Sequence, residues 1–188
     1  MQDKRIVDAT LRCVARWGVN KTSLDDVARE AGLSRATIYR LVPGGKDGLM
    51  ELVARVEITE FFQKLAERLD AATTLEELLV TGMTEAGRHI HEHPALQFII
   101  TYEPQIVLPG LAFAQMGRVL NLASAFATPY LSRFIPPGEA PEAAEWIIRI
   151  LLSYAGCPSE RIDITNKESV RRLVRTFVLP ALLQTVAN

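Results

Sequence analysis

This sequence of 188 residues contains few cysteines and no long apolar run, and its positive and negative charges are nearly balanced. Its two cysteines, Cys13 and Cys157, are too few for a disulfide framework and are typical of a reducing cytoplasm. The first residues, MQDKRIVD, lack the apolar segment of a signal peptide, and no apolar run approaches the length of a membrane span. We therefore expect a soluble cytoplasmic protein without a membrane partner.

The net charge of −1 excludes a uniformly basic protein that coats nucleic acid. The charges are unevenly distributed, however. Residues 1–50 contain nine Lys or Arg and six Asp or Glu, whereas the rest of the chain contains twelve and sixteen. A positive amino-terminal end is suited to contact with phosphates.

Patterns that indicate catalysis are also missing. The sequence has no nucleophile elbow and no paired Cys/His arrangement. Gly45-Lys46 suggests a phosphate loop, but the upstream glycine is absent and Asp47 stands where Ser or Thr is required. We predict neither an enzyme nor a cofactor.

One histidine pair has a spacing that could bind a metal. His89 and His93 are four residues apart, with Glu85 one turn earlier. No clear further ligand accompanies them, and histidines are also favoured near a helix carboxyl end, where the dipole stabilises the imidazolium. We therefore predict no metal site.

The most informative stretch runs from Leu24 to Leu41 and predicts a helix-turn-helix. Ser23 and Asp26 can form a capping box, and Gly32 stands where a helix ends in a left-handed residue. Ser34 can cap a second short helix that carries Ile38 inward. An outward set of residues, suited to phosphates and base edges, then remains on that helix: Arg35, Thr37, Tyr39 and Arg40. An ordinary pair of core helices is the alternative interpretation.

Helical periodicity continues along the chain, and no strand is evident. The predicted fold is all-α with about nine helices. Residues 1–45 are expected to form a three-helix DNA-binding domain, and residues 46–188 a helical domain for effector binding and dimerisation.

The last two predicted helices are apolar around much of their circumference, which favours a homodimer built as a four-helix bundle. The alternative is that these residues form the core of a monomer. The predicted dimer interface comprises Trp146, Ile147, Ile150, Leu151, Val174, Phe177, Val178 and Leu182.

Bulky apolar residues with a few polar ones among the middle helices indicate a small-molecule pocket, although such a stripe is also typical of plain core. The candidate lining residues are Phe62, Met83, Phe98, Tyr102, Glu103, Phe113, Met116 and Asn121.

The segment TSLDDVAREAGLSRATIYRLVPGGKDGLMELV resembles the amino-terminal signature of the TetR family of transcriptional regulators, and the match covers residues 5–55. The chain departs from the family at Leu41–Gly45, where an aromatic residue commonly precedes the proline and a serine precedes the lysine. The departure concerns the geometry of the connector and not the residues that would contact DNA.

The resemblance implies a nine-helix fold, a homodimer through the last two helices, and a repressor released from a palindromic DNA operator by a small, largely apolar effector. Tyr39 and Lys46 would mostly hold phosphates, and Arg35, Thr37 and Arg40 would read bases. The implied DNA-contacting set is Ser23, Ser34, Arg35, Thr37, Tyr39, Arg40 and Lys46. A helical ligand-binding or scaffolding dimer without operator binding is the alternative function.

Overall fold

The computed structural model describes residues 2–103 and 116–185. All regular secondary structure within these ranges is helical, which confirms the predicted all-α class. The described residues form two compact units, one from residues 2–61 and 92–103 and the other from residues 62–91 and 116–185. This division differs from the predicted boundary after residue 45, because Leu49 and Leu52 belong to the core of the first unit.

The first unit is built around an apolar core in which Ile6, Ile38 and Leu49 are fully buried. Three of its helices enclose this core together with the start of a long fourth helix, and a further helix packs against the first. Trp17, the last residue of the first helix, is exposed. The helices are α1 (Gln2–Trp17), α2 (Leu24–Ala31), α3 (Arg35–Leu41), α4 (Gly45–Asp70) and α6 (Pro94–Tyr102).

The second unit takes the end of α4 and the helices that remain. Thr74 caps the first of them, because its hydroxyl accepts the backbone N–H of Glu77 at 3.1 Å. Asn166 caps a later helix by accepting the N–H groups of Glu168 and Ser169, both at 3.0 Å. The helices are α5 (Leu75–Glu92), α7 (Met116–Leu131), α8 (Ala140–Gly156), α9 (Lys167–Leu173) and α10 (Leu179–Thr185).

A π-helical turn, Val174–Val178, joins α9 to α10. The backbone N–H of Leu179 donates to the carbonyl of Val174, one residue further back than in an α-helix. The sequence predicted one regular helix here. The structure instead rotates the faces of α10 relative to a regular continuation of α9.

Over residues 2–103 and 116–185, no helix is both long enough and apolar enough to cross a membrane.

Candidate nucleic-acid interface

The turn between α2 and α3 is assembled from short-range hydrogen bonds. The hydroxyl of Ser23 accepts the N–H of Asp26 at 3.2 Å, and the Asp26 carboxylate accepts the N–H of Ser23 at 3.2 Å, which completes the predicted capping box. Gly32 ends α2 with a φ of 62°, a conformation that a side chain would strain. Ser34 caps α3 by accepting the N–H of Thr37 at 3.1 Å. These bonds fix the direction in which α3 leaves the turn.

The hydrogen bonds of the capping box also stabilise the charge of Asp26. The Ser23 hydroxyl and, to a smaller extent, the Ser23 backbone N–H lower the pKa of the Asp26 carboxyl. The carboxylate lies in the first turn of α2, where the helix dipole favours a negative charge. The cap is therefore ionised and intact near neutral pH.

One face of α3 is presented to solvent. Ile38 is fully buried on the opposite face, and this holds Arg35, Tyr39 and Arg40 outward as predicted. Thr37 is half-buried, and its hydroxyl lies 2.8 Å from that of Ser34. Two guanidinium groups and one phenol on a short exposed helix are suited to the phosphates and base edges of a DNA groove.

Lys46 lies at the start of α4, and its Nζ donates to the backbone carbonyl of Asn20 at 2.9 Å. This bond connects the α1–α2 loop to the residue that was predicted to contact a phosphate. Its ammonium has three donors, so the bond to Asn20 occupies one of them. Lys46 is therefore held by the α1–α2 loop, and its remaining N–H donors are available to a phosphate.

Glu103, which was predicted to line a ligand pocket, also holds the α1–α2 loop. Its buried carboxylate accepts the backbone N–H of Val19 at 2.5 Å and that of Asn20 at 3.1 Å. Gly18 has a φ of 84°, and a Cβ built on it would lie 2.7 Å from that carboxylate. The carboxylate of Glu103 is thus engaged by the α1–α2 loop.

Ion pairs join α1 to α2 behind the turn. Arg12 Nε donates to Glu30 Oε1 at 2.6 Å, and Arg16 Nη1 lies 3.6 Å from Glu30 Oε2. The hydrogen bond from Arg12 lowers the pKa of the Glu30 carboxyl. Arg12 and Arg16, two of the four cationic side chains of α1, are therefore paired within the first unit.

The other residues predicted for a ligand pocket are divided between the two units. Phe98 and Tyr102 lie in the first unit with their rings 4.9 Å apart. In the second unit, Phe62 stacks on Phe126 at 4.2 Å. Met83 is buried there and Asn121 is exposed. Phe113 and the side chain of Met116 lie outside the described residues.

The residues predicted for a dimer interface behave differently from one another. Trp146 and Phe177 are exposed and Ile150 is half-buried, so these three are available to a partner. The remaining five are buried within the single chain, which corrects their assignment: Ile147, Leu151, Val174, Val178 and Leu182. They face their own unit, as the alternative core interpretation required.

His93 has a structural role at the start of α6. Its Nδ1 accepts the N–H of Leu96 at 3.3 Å, and its Nε2 lies 2.8 Å from Glu57 Oε2. Within the described part of the chain, no cluster of three His, Cys, Asp or Glu could hold a metal ion.

Sequence analysis missed the contacts that two acidic residues make in this region. Asp25 pairs with Arg35 across the turn, and Glu103 holds the α1–α2 loop. The consecutive pair Asp25-Asp26 weakly indicated the contact of Asp25, because the helix cap needs only one of the two carboxylates. No local pattern indicated this role for Glu103, since its partners lie more than 80 residues away along the chain.

Comparison with known proteins agrees with this geometry. Residues 6–53 match the family model described as bacterial regulatory proteins, tetR family. An uncharacterized HTH-type transcriptional regulator from Mycobacterium tuberculosis is 25% identical over 178 residues, which cover 94% of this chain and 83% of that protein.

Solved structures show the same fold. The TetR family repressor AlkX from Dietzia, implicated in biodegradation of n-alkanes, matches with a TM-score of 0.71 and 24% identity over 97% of this chain and 98% of AlkX. The transcriptional regulator FadR from Bacillus subtilis, solved with stearoyl-CoA, matches with a TM-score of 0.66 and 16% identity over 92% of this chain and 97% of FadR. Residues 6–53 therefore match the helix-turn-helix of the TetR family of transcriptional regulators, and the chain has the fold of solved TetR-family structures.

Proposed function

We propose that this protein is a homodimeric cytoplasmic repressor that binds a palindromic DNA operator and is released by a small, largely apolar effector. The observation that carries the proposal is the exposed face of α3, where Arg35, Tyr39 and Arg40 point to solvent from a helix fixed by the Ser34 cap. Ser23, Thr37 and Lys46 complete the proposed contact set.

A dimer is supported by apolar side chains that the second unit leaves exposed. Trp146 lies on the outer face of α8, and Phe177 and Leu183 lie on the outer face of the helical segments at residues 167–185. Covering this surface with a second copy removes it from water. A two-fold dimer also presents two recognition helices to half-sites about 34–36 Å apart, which accounts for a palindromic operator.

The effector class is supported by two structural neighbours, AlkX, implicated in n-alkane biodegradation, and FadR, solved with stearoyl-CoA. Both names point to long hydrocarbon chains. We propose that an effector binding in the helical domain lowers operator affinity and that, by linkage, the operator lowers effector affinity by the same factor. Stearoyl-CoA and a long n-alkane are therefore the first probes to test for release.

The decisive experiment is selection of genomic fragments by the purified full-length protein at near-physiological salt, followed by sequencing. An enriched palindrome supports the proposal, and loss of that enrichment in the Arg35→Ala, Thr37→Ala, Arg40→Ala triple variant assigns it to α3. Failure to enrich any sequence, with cell extract or without it, would favour a ligand-binding or scaffolding dimer that makes no operator contact.

Lys46 allows a separate test of phosphate contact. Lys46→Ala should weaken binding to all DNA sequences alike and lower the salt slope of the binding constant by about one. Lys64→Ala, an exposed lysine far along α4, is the matched control and should leave the slope unchanged. An unaltered slope in the Lys46 variant would remove this residue from the contact set.

A further inference from the structure

An ion pair links the two helices of the helix-turn-helix at the point where α3 begins. Arg35 is the first residue of α3, and its Nη2 lies 2.8 Å from Oδ2 of Asp25 in the first turn of α2. The Arg35 side chain remains 74% exposed, whereas that of Asp25 is only 31% exposed. The pair therefore joins a side chain fixed in the turn to one that faces solvent.

Asp25 is less exposed than an ordinary surface carboxylate. Its Oδ1 is buried and has no hydrogen-bond partner among the described residues, so Oδ2 makes the specific contact of this side chain. Exposed ion pairs usually contribute little, because two long side chains must both be ordered to form them. Here one partner is short and already packed, so the pair orders the guanidinium of Arg35.

Asp26, the next residue, provides a contrast. Its carboxylate already accepts the N–H and hydroxyl of Ser23, and it lies 3.7 Å from Arg29 Nη1 within the same helix. That carboxylate is committed to the helix cap. Asp25 is therefore not needed for the cap, and its charge is directed to the recognition helix.

A fixed guanidinium is the form of arginine best suited to reading a base. The group has five N–H donors in a planar fork, and a single carboxylate oxygen leaves most of them available. Arginine most often reads guanine by donating two bonds to O6 and N7, and residues at the start of a recognition helix contact base edges. Ordering the side chain before DNA arrives also lowers the entropy lost on binding.

We propose that Asp25 is a positioning residue that orients Arg35, and that Arg35 in this orientation reads a guanine in each operator half-site. The inference rests on the proposed operator binding. It adds that the base read by Arg35 is guanine and that Asp25 also determines this preference. Asp25 itself need not touch DNA.

The test uses the full-length protein with Asp25→Asn, Arg35→Ala, Arg35→Lys and the Asp25→Asn, Arg35→Ala double variant. Asp47→Asn is the matched control, since it removes one exposed acidic charge from the start of α4. Thermal unfolding first establishes that each variant is folded. Each protein then selects from random duplexes, and affinities are measured for the selected site and for copies with each G·C pair replaced.

We expect the wild type to prefer guanine at one position of each half-site by roughly tenfold or more. Arg35→Ala and Arg35→Lys should abolish this preference, and Asp25→Asn should remove most of it at the same position. Affinity for non-specific DNA should stay equal or rise in Asp25→Asn, because a negative charge is lost. The double variant should lose no more preference than Arg35→Ala, and Asp47→Asn should retain it.

The outcomes separate this inference from the proposed function. A selected palindrome whose guanine preference survives Asp25→Asn, or is lost at a position that Arg35 does not control, overturns the role of Asp25 alone. Tighter specific binding by Asp25→Asn with unchanged preference would mean that the pair restrains Arg35 from DNA, and this also overturns it. If no sequence is selected at all, operator binding and the inference both fail.

Discussion

The helix-turn-helix and the carboxyl-terminal helices are stabilised in different ways. Around the turn, Ser23, Gly32 and Ser34 satisfy the ends of α2 and α3 with hydrogen bonds between residues a few positions apart. In α8 and at residues 167–185, order comes from side chains such as Val174 and Val178 that are fully buried against the rest of their unit. Single hydrogen bonds therefore set the geometry of the first region, and packed volume sets that of the second.

Neighbouring leucines in α10 provide the largest expected effect. Leu182 is 7% exposed and Leu183 is 55% exposed. Leu182→Ala should lower the free energy of unfolding by roughly 2–5 kcal/mol because it leaves a cavity in the unit. Leu183→Ala should change the protomer's own free energy of unfolding by only about 0.5 kcal/mol, because the proposed burial of Leu183 is against a second copy. Chemical denaturation at several protein concentrations separates this loss from weakened dimerisation.

If the two leucine variants were equally destabilised, the packing of α10 described above would be wrong. If the loss in Leu182→Ala appeared only as weaker association between protomers, the original assignment of Leu182 to the dimer interface would be restored.

Two glycines in α5 test how closely that helix is packed. A Cβ on Gly87 would lie 2.6 Å from the backbone carbonyl oxygen of Ile164, whereas a Cβ on Gly82 would meet only a Leu69 methyl at 3.6 Å. Gly87→Ala should therefore destabilise the protein by about 1–3 kcal/mol. Gly82→Ala should stabilise it by up to about 1 kcal/mol, because alanine favours the helix. Thermal unfolding compares the two variants. If both substitutions changed stability in the same direction, the close approach at Gly87 would be contradicted.

The cap of α3 gives a smaller effect on stability with a clear functional consequence. Ser34→Ala removes the acceptor of the Thr37 N–H and should cost about 1 kcal/mol. Operator affinity should fall with it, since α3 frays at the end that carries Arg35. Ser153→Ala on the exposed face of α8 is the control and should alter neither quantity. Full operator affinity in Ser34→Ala would show that α3 is positioned without its cap.

The smallest effect is a pH dependence at the other cap. Because hydrogen bonds from Ser23 lower the pKa of Asp26 in the folded protein, ionised Asp26 contributes stability above its unfolded-state pKa. That contribution is lost as the pH falls through the lowered, folded-state value. Acid titration followed by circular dichroism should show a weaker pH dependence in Asp26→Asn, and to a smaller extent in Ser23→Ala, which removes the bond from the Ser23 hydroxyl but keeps that from its backbone N–H. An unchanged acid transition in both variants would rule out this cap as its source.

The same contrast explains what could be predicted from the sequence. The Ser23 cap, the left-handed Gly32 and the Ser34 cap depend on residues within four positions, and all three are confirmed. The all-α fold follows from periodicity in the same way. Periodicity did not show which apolar face of α8 is covered by its own chain, so Ile147 and Leu151 were assigned to a partner.

Long-range contacts and irregular turns could not be predicted from the sequence for a related reason. The carboxylate of Glu103 finds its partners at Val19 and Asn20, which no local pattern links to it. The π-helical turn at Val174–Val178 inserts an extra residue into one turn, and the apolar spacing around it is compatible with a regular helix. In the sequence, Asp25 is only a second acidic residue beside the cap, and its pairing with Arg35 becomes evident only in the folded chain.

Gly18 and Glu103 also constrain how this chain can diverge. The carboxylate occupies the space that any side chain at residue 18 would need, and the left-handed backbone there already disfavours one. A larger residue at position 18 is thus tolerated only together with a shorter one at position 103, which would then lose its bonds to the loop. Relatives that carry a side chain at the first position should therefore lack glutamate at the second, whereas glycine can remain at the first position whatever residue stands at the second.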